Sequence, residues 1–384
     1  VDSLFNLDKA LAFGHTTAAF IVVVGILVFV HEFGHYYIAI RNKVKVETFS
    51  IGFGPRLFGW RDKRGTAWQV CLLPLGGYVK MFGDVDPASV GTDPAQVAAM
   101  TPEERAQAFF AKPVGVRAAI VAAGPGINFL FSIIVLFLLY VSLGQAVLPP
   151  KIGEVSPDKP AAQAGMLAGD TIKQINGEIV DDFTDIKRIL SSDLGAKLDV
   201  IVDRDGQEIS MTITPEVEDV TNNFGIVHRT GRIGVMAGGE PEFKRLNPLQ
   251  AVGAAFADTW GLVKSTFTGL YQIIAGERSS KELGGVITIA KVSGDMSHSI
   301  SSFIWFMAML SANLGLINLF PIPVLDGGHL VFYAMESVRG RPLSDMAQEY
   351  SLRFGLALVL TLTLFALWND LNNFGVVKFI TQLF

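Results

Sequence analysis

Three chemically active side chains sit together in an otherwise apolar run. The stretch VFVHEFGHYYIAI, Val28 to Ile40, carries His31, Glu32 and His35. Ionisable groups inside a hydrophobic segment are costly and mark function. Their pattern is His-Glu-x-x-His. On a helix, residues i and i+4 share a face, so the two imidazoles can hold one Zn2+ together. The glutamate beside them can then act as general base on water. Two core histidines hydrogen-bonded inside a bundle would be the plainer reading, but it gives no joint reason for three costly groups in one span.

A catalytic zinc needs a third protein ligand and an open position. The single cysteine, Cys71, offers no metal-binding cluster, and His15, His228 and His298 fall away from the depth of the pair. The candidate is Asp326 in NLFPIPVLDGGHL. It follows the third apolar segment as His31 ends the first, so both can meet at one depth. Pro321 and Pro323 break the helix there, which membrane proteins tolerate where backbone lines a cavity. The alternative for Asp326 is a cap or turn residue before Gly327-Gly328. His329 is left with an outer-shell role or none.

Those residues need elements to hold them. Half of the 384 residues are hydrophobic, 17% are charged, and mean hydropathy is +0.41. Such a composition excludes an ordinary soluble protein. A net charge of −5 argues against nucleic acid as the partner. Four segments are long and apolar enough to span a bilayer: roughly 16–40, 118–143, from 300 to about 324, and 352 to about 368. The first has no basic leader and no small-x-small cleavage site, so it is read as retained. The fold class is a polytopic α-helical membrane protein of about four transmembrane helices. The expected divisions are 1–40, 41–117, 118–143, 151–216, 217–299, 300–336 and 352–370.

Eleven Lys and Arg lie in 41–117, and Arg339, Arg341 and Arg353 lie near 337–353. Positive charge marks the cytoplasmic side. That places 41–117 and 337–353 in the cytoplasm, with both termini and the long 144–299 region outside. Within 41–117, TAWQVCLLPLGGYVKMF reads as two β runs around Pro74-Leu75-Gly76-Gly77, a membrane-associated β-hairpin. The stretch 84–112 reads as a mobile connection. Residues 248–276 carry Phe256, Trp260, Val263, Phe267, Leu270 and Ile274 on one side, which predicts an amphipathic helix on the outer membrane surface or under the inserted domain.

Residues 151–216 change character. Asn176-Gly177 and Asp205-Gly206 each separate alternating runs, a hairpin signal. Phe183, Ile186, Ile189 and Leu190 have helical spacing. With SPDKPAAQAGMLAGDTIKQING at its heart, this inserted α+β unit resembles a bacterial PDZ domain, a fold that captures extended peptides by strand addition.

HEFGH, SIGFGP, LPLGGYVKM, GPGINF, GGVITIAK and NLFPIPVLDGGHL, with a PDZ domain among them, make nearly the whole chain resemble the site-2 protease family. These are zinc metalloproteases that cut within membranes. The nearest likeness is to the bacterial branch called regulator of sigma-E protease. The resemblance implies zinc on His31, His35 and Asp326, with Glu32 as catalytic base. It implies that Asn318, Pro321 and Pro323 help bind substrate, and that the hairpin around 66–82, with Gly76 and Gly77, pairs with an unwound substrate strand. It implies transmembrane protein substrates, anti-sigma factor-like or signal peptide remnants, in the inner membrane of a bacterium, with the lipid bilayer around the enzyme. The best-known members carry two tandem PDZ domains; here there is one, with only GRIGVMAG (231–238) beyond it. A non-catalytic membrane-anchored PDZ scaffold would need no complete metal set. A transporter would be expected to show an inverted repeat, and none is evident.

Overall fold

A computed structural model of the chain describes residues 7–83, 94–192, 195–221, 227–240, 242–275, 280 and 283–373. In chain order the elements are α1 (Leu7–Arg41), β1 (Val46–Arg61), β2 (Ala67–Met81), α2 (Pro94–Ala99), α3 (Pro102–Gln107), α4 (Val114–Ser142), β3 (Gln145–Val147), β4 (Ile152–Val155), α5 (Pro160–Gln163), β5 (Thr171–Ile175), β6 (Glu178–Ile179), α6 (Phe183–Ser192), β7 (Leu198–Arg204), β8 (Gln207–Ile213), β9 (Glu216–Thr221), β10 (Val227–Arg232), β11 (Val235–Ala237), β12 (Glu242–Lys244), α7 (Pro248–Ile274), α8 (Val286–Met296), α9 (Ile300–Asn318), α10 (Asp326–Arg339) and α11 (Asp345–Asn373). They form two compact units, 1–138 with 252–266 and 283–384, and 139–251 with 267–282.

Four helices of the first unit are long and apolar enough to cross a membrane: Ala10–Arg41, Val114–Ser142, Ile300–Asn318 and Met346–Asn373. Their outward side chains are apolar, as in Leu130, Leu138, Phe354, Leu360 and Leu364. No water-facing helix would be built so; lipid is the solvent these faces suit. Pro125 lies inside α4 without ending it. After α9 the chain is non-helical from 319 to 325, around Pro321 and Pro323, and α10 then starts at Asp326. Short α2 and α3 occupy part of the stretch expected as a mobile connection; residues 84–93 of that stretch lie outside the described residues.

The two β runs of the expected hairpin do not pair with each other. Val46–Ile51 lies between them, with Ile51 opposite both Gly77 and Val70, and Arg56–Arg61 pairs with Ala67–Cys71 on the far side. The arms therefore run 77–81, 46–51, 67–71, 56–61. Each strand folds back on itself at residues that permit it. β1 turns at Gly52 and Gly54, both with positive φ, and β2 turns at Pro74 to Gly76, where Gly76 has φ +115°. Phe49 stacks on Trp68 and Tyr36 meets both rings edge-on at the join to α1, and Asp62 accepts hydrogen bonds from Tyr36 Oη and Trp68 Nε1. The sheet is thus latched to the helix carrying the two histidines.

The second unit has its own core: Ile152, Met166, Ile172, Ile175, Ile186, Leu198, Val200, Val202 and Ile213 are fully covered. Its main sheet runs β6-β5-β7-β8, with turns at Asn176-Gly177 and Asp205-Gly206 in the left-handed conformations that tight hairpins need. Phe183, Ile186, Ile189 and Leu190 of α6 face this core. The unit reaches past 216, because Ile233 joins the core and β11 pairs with β4.

Asp170 is buried in this unit under Arg204. The guanidinium donates through Nε to Oδ1 and through Nη2 to Oδ2, both at 2.7 Å, and Leu167 N donates at 2.9 Å. The Arg204 hydrogen bonds hold the Asp170 carboxyl below the ordinary carboxylate range. A depressed folded pKa contributes stability above the unfolded value of about 4, and that contribution is lost as pH falls through the folded value. Asp170→Asn should cost the unit about 2 kcal/mol at neutral pH and flatten its acid dependence. Hydrogen exchange at β5 and β7 in the full chain, measured at pH 7 and pH 4, reads both effects.

Candidate metal centre

His31 and His35 share one face of α1, and Asp326 opens α10 opposite them. His31 Nε2 lies 3.3 Å from His35 Nε2, and Asp326 Oδ2 lies 3.2 Å from the first and 3.5 Å from the second. Ligand atoms at the corners of a tetrahedral zinc site, with bonds near 2.05 Å, stand about 3.3 Å apart. The three donors already have that spacing. Asp326 Oδ2 is buried and makes no hydrogen bond. An anionic oxygen left so is costly unless a cation takes it. Asp326 is not the cap of its helix; Leu325 holds that position. Among the described residues this is the one group of three or more His, Cys, Asp or Glu spaced to hold a metal ion. The residues therefore fit zinc.

The ring orientations fit as well. His35 Nδ1 lies 2.9 Å from the Ile120 carbonyl oxygen. A carbonyl only accepts, so Nδ1 carries the proton and Nε2 presents its lone pair to the metal position. On His31, Nδ1 is 3.1 Å from the Asn128 amide, a fully buried group whose Oδ1 has no partner. With the amide turned about its terminal bond, Oδ1 accepts from Nδ1–H and His31 Nε2 is likewise freed for metal.

Close helix approach makes this geometry possible. A Cβ on Gly34 would lie 2.3 Å from the Ala123 oxygen, and one on Gly124 would lie 2.2 Å from His35 Nε2. Gly327 and Gly328 play the same part for Asp326: a Cβ on either would run into the carbonyls of Leu319 or Ile322. The two glycines let the first turn of α10 pack on the broken segment. Arg117 ties α4 to α10 through Glu336 at 2.5 Å and lies over the Tyr333 ring.

Glu32 is buried beside the cluster. A Cβ on Gly77 would come within 2.9 Å of Glu32 Cγ, so the 77–81 arm passes directly against the glutamate. Gly76 packs on the Phe53 ring. Asn318 ends α9, Pro321 and Pro323 lie in the broken segment, and Pro323 rests on Gly355 of α11. His329 is outside the three-donor cluster; its ring meets Phe332 edge-on. Sequence reasoning passed over Gly124 and Asn128 as site residues. The signal was present: a small residue, a proline and an amide interrupt a span in GPGIN.

Comparison with known proteins agrees with this chemistry. The model of peptidase family M50 matches residues 19–362. A Rhizobium meliloti protein provisionally described as a zinc metalloprotease is 41% identical over 362 residues, covering 93% of this chain and 96% of that protein. Metalloprotease MmpA of Caulobacter vibrioides is 38% identical over 385 residues, covering 94% and 96%. Among solved structures, the PDZ domain of an SdrC-like protein from Listeria innocua covers 24% of this chain and 96% of its own, at 19% identity and TM-score 0.20, too slight a likeness to bear on the fold. The fold and site define a zinc metallopeptidase with membrane-spanning helices. The chain belongs to peptidase family M50, the site-2 protease family.

The Asn128 amide gives a test of ring positioning. Asn128→Leu should weaken zinc binding about 10- to 100-fold, read by chelator competition. Asn128→Asp, which keeps an acceptor at His31 Nδ1, should retain most of it.

Proposed function

We propose that this protein hydrolyses peptide bonds within the membrane-spanning segments of single-span proteins. The observation that carries the reading is the buried three-donor cluster with Glu32 at its side and a sheet arm against Glu32. The resemblance in the sequence suggests an anti-sigma factor already trimmed outside the cell, or remnant signal peptides, as substrate. The charge asymmetry supports a bacterial inner membrane location, with the termini and the 151–216 domain outside and the metal centre toward the cytoplasm.

A peptide bond in a transmembrane helix is shielded by its own hydrogen bonds, so the substrate must unwind. Its freed N–H and C=O groups then need partners in a dry environment. The 77–81 arm is an edge of the small sheet and lies at the glutamate, so strand addition there offers those partners beside the scissile bond. Asn318, Pro321 and Pro323, in the break that leads to Asp326, are the further substrate contacts in this reading. Bound zinc supplies Lewis acidity, polarising the scissile carbonyl and making water a nucleophile near neutral pH. Glu32 takes the proton of the attacking water and delivers it to the departing amine as the C–N bond breaks. His31, His35 and Asp326 hold the metal and take no proton. The 151–216 domain sorts substrates by bulk, admitting trimmed stubs.

The test uses purified protein in liposomes with a single-span substrate, and reads product termini by mass spectrometry. The native chain should cut inside the span and hold about one zinc. Glu32→Gln should keep zinc and lose activity by about a thousandfold; His35→Ala should lose both. Cuts confined to the flanks, or full zinc in His35→Ala, would overturn the reading.

A further inference from the structure

Helix α7 has three features that a helix resting on a membrane surface would not combine. First, it buries its small residues. Ala251 and Ala255 are fully covered and Thr259 nearly so, while Phe256, Trp260 and Phe267 are each more than half exposed. Second, two hydrogen bonds tie its covered side to residues within two spanning helices. Thr259 Oγ1 meets Ser132 Oγ of α4 at 3.2 Å, and Thr266 Oγ1 donates to Asn313 Oδ1 of α9 at 2.7 Å.

Third, those two ties lie at different depths. α4 and α9 run antiparallel, because Ser311 Oγ donates to the Asn128 carbonyl and Gly315 packs on that of Pro125. Asn313 is therefore level with the turn Pro125–Asn128, and Ser132 is one turn or more nearer the α4 C-terminus. From Thr259 to Thr266, α7 descends by roughly 9 Å while its own axis advances about 10 Å. It runs down into the span rather than across its surface. Asn128 touches His31, so Thr266 reaches the depth of the metal centre.

We propose that α7 is embedded in the bilayer alongside α4 and α9, with Phe256, Trp260, Val263 and Phe267 in contact with lipid acyl chains. Small residues against protein and large apolar residues outward is the pattern of helices packed in lipid, where association gains nothing from burying hydrocarbon. Leu130 and Ile134 of α4, on either side of Ser132 in the sequence, are half-exposed apolar residues as well. No charged residue lies among those four side chains. Lys264 is exposed at the border of the face, so its ammonium must find headgroups or water within reach of its long chain. At this position α7 is a wall between lipid and the level of the metal centre.

The test is depth by spin labelling of the full chain in phosphatidylethanolamine–phosphatidylglycerol vesicles. Labels go singly at 256, 260 and 263 in a Cys71→Ser background, with zinc content as the check of fold. Oxygen should reach all three labels and a water-soluble nickel complex should reach none, with 263 deepest. Nickel access at 260 and 263, or equal shallow depth for all three, would place α7 in water or on the surface and overturn the proposal. Exclusion of both reagents would mean protein covers the face, which also overturns it. Should the labelled chains lose zinc, Trp260 in the unlabelled protein decides instead. Acyl-brominated lipids should quench the fluorescence that is lost in Trp260→Phe, and absence of that quenching would contradict the embedding.

Discussion

A carboxylate and two imidazoles buried among apolar helices must satisfy one another or be satisfied by a cation. Asp326 Oδ2 has no hydrogen-bond donor and faces two ring nitrogens at 3.2 and 3.5 Å. That constraint organises the rest of the first unit. α1 and α4 must touch closely enough for Ile120 and Asn128 to orient the rings, which Gly34 and Gly124 allow. The third apolar segment must stop before Asp326, and Pro321 and Pro323 stand where it stops. α10 must then pack its first turn on the break, which Gly327 and Gly328 allow. Each is a close approach that a single methyl group would prevent.

The small sheet has a parallel logic. A strand at membrane depth needs partners for its backbone, and four arms drawn from two strands supply most of them to one another. In the function proposed above, the edge left beside Glu32 is where a substrate backbone completes the set. The Tyr36, Trp68 and Asp62 contacts latch the sheet to the helix bearing the histidines, and Gly77 packs the edge itself against Glu32 of that helix.

Much of this is written in local spacing. His31, Glu32 and His35 announce themselves because helical period and residue chemistry agree over five residues. The hairpins of the second unit do so through Asn176-Gly177 and Asp205-Gly206. Arm order in the small sheet was not legible, because alternation marks strands but not partners, and the folding of β1 rests on Gly52 and Gly54. The covered side of α7 was not legible for a deeper reason. Apolar periodicity reports the face that leaves water, and in lipid that face can point away from the protein. Ala251, Ala255 and Thr259 carry almost no hydrophobic signal, yet theirs is the covered face. Asn128 was passed over because one amide in a long apolar run has no period at all.

The central claim is that His31, His35 and Asp326 together form the zinc site. X-ray absorption at the zinc edge, on the purified Glu32→Gln protein, tests it most directly. The account predicts four light-atom neighbours at about 2.0–2.1 Å, two of them with the outer-shell scattering of imidazole, and one neighbour fewer or exchanged in Asp326→Ala. A single imidazole, a sulfur neighbour near 2.3 Å, or a spectrum unchanged by Asp326→Ala would contradict it.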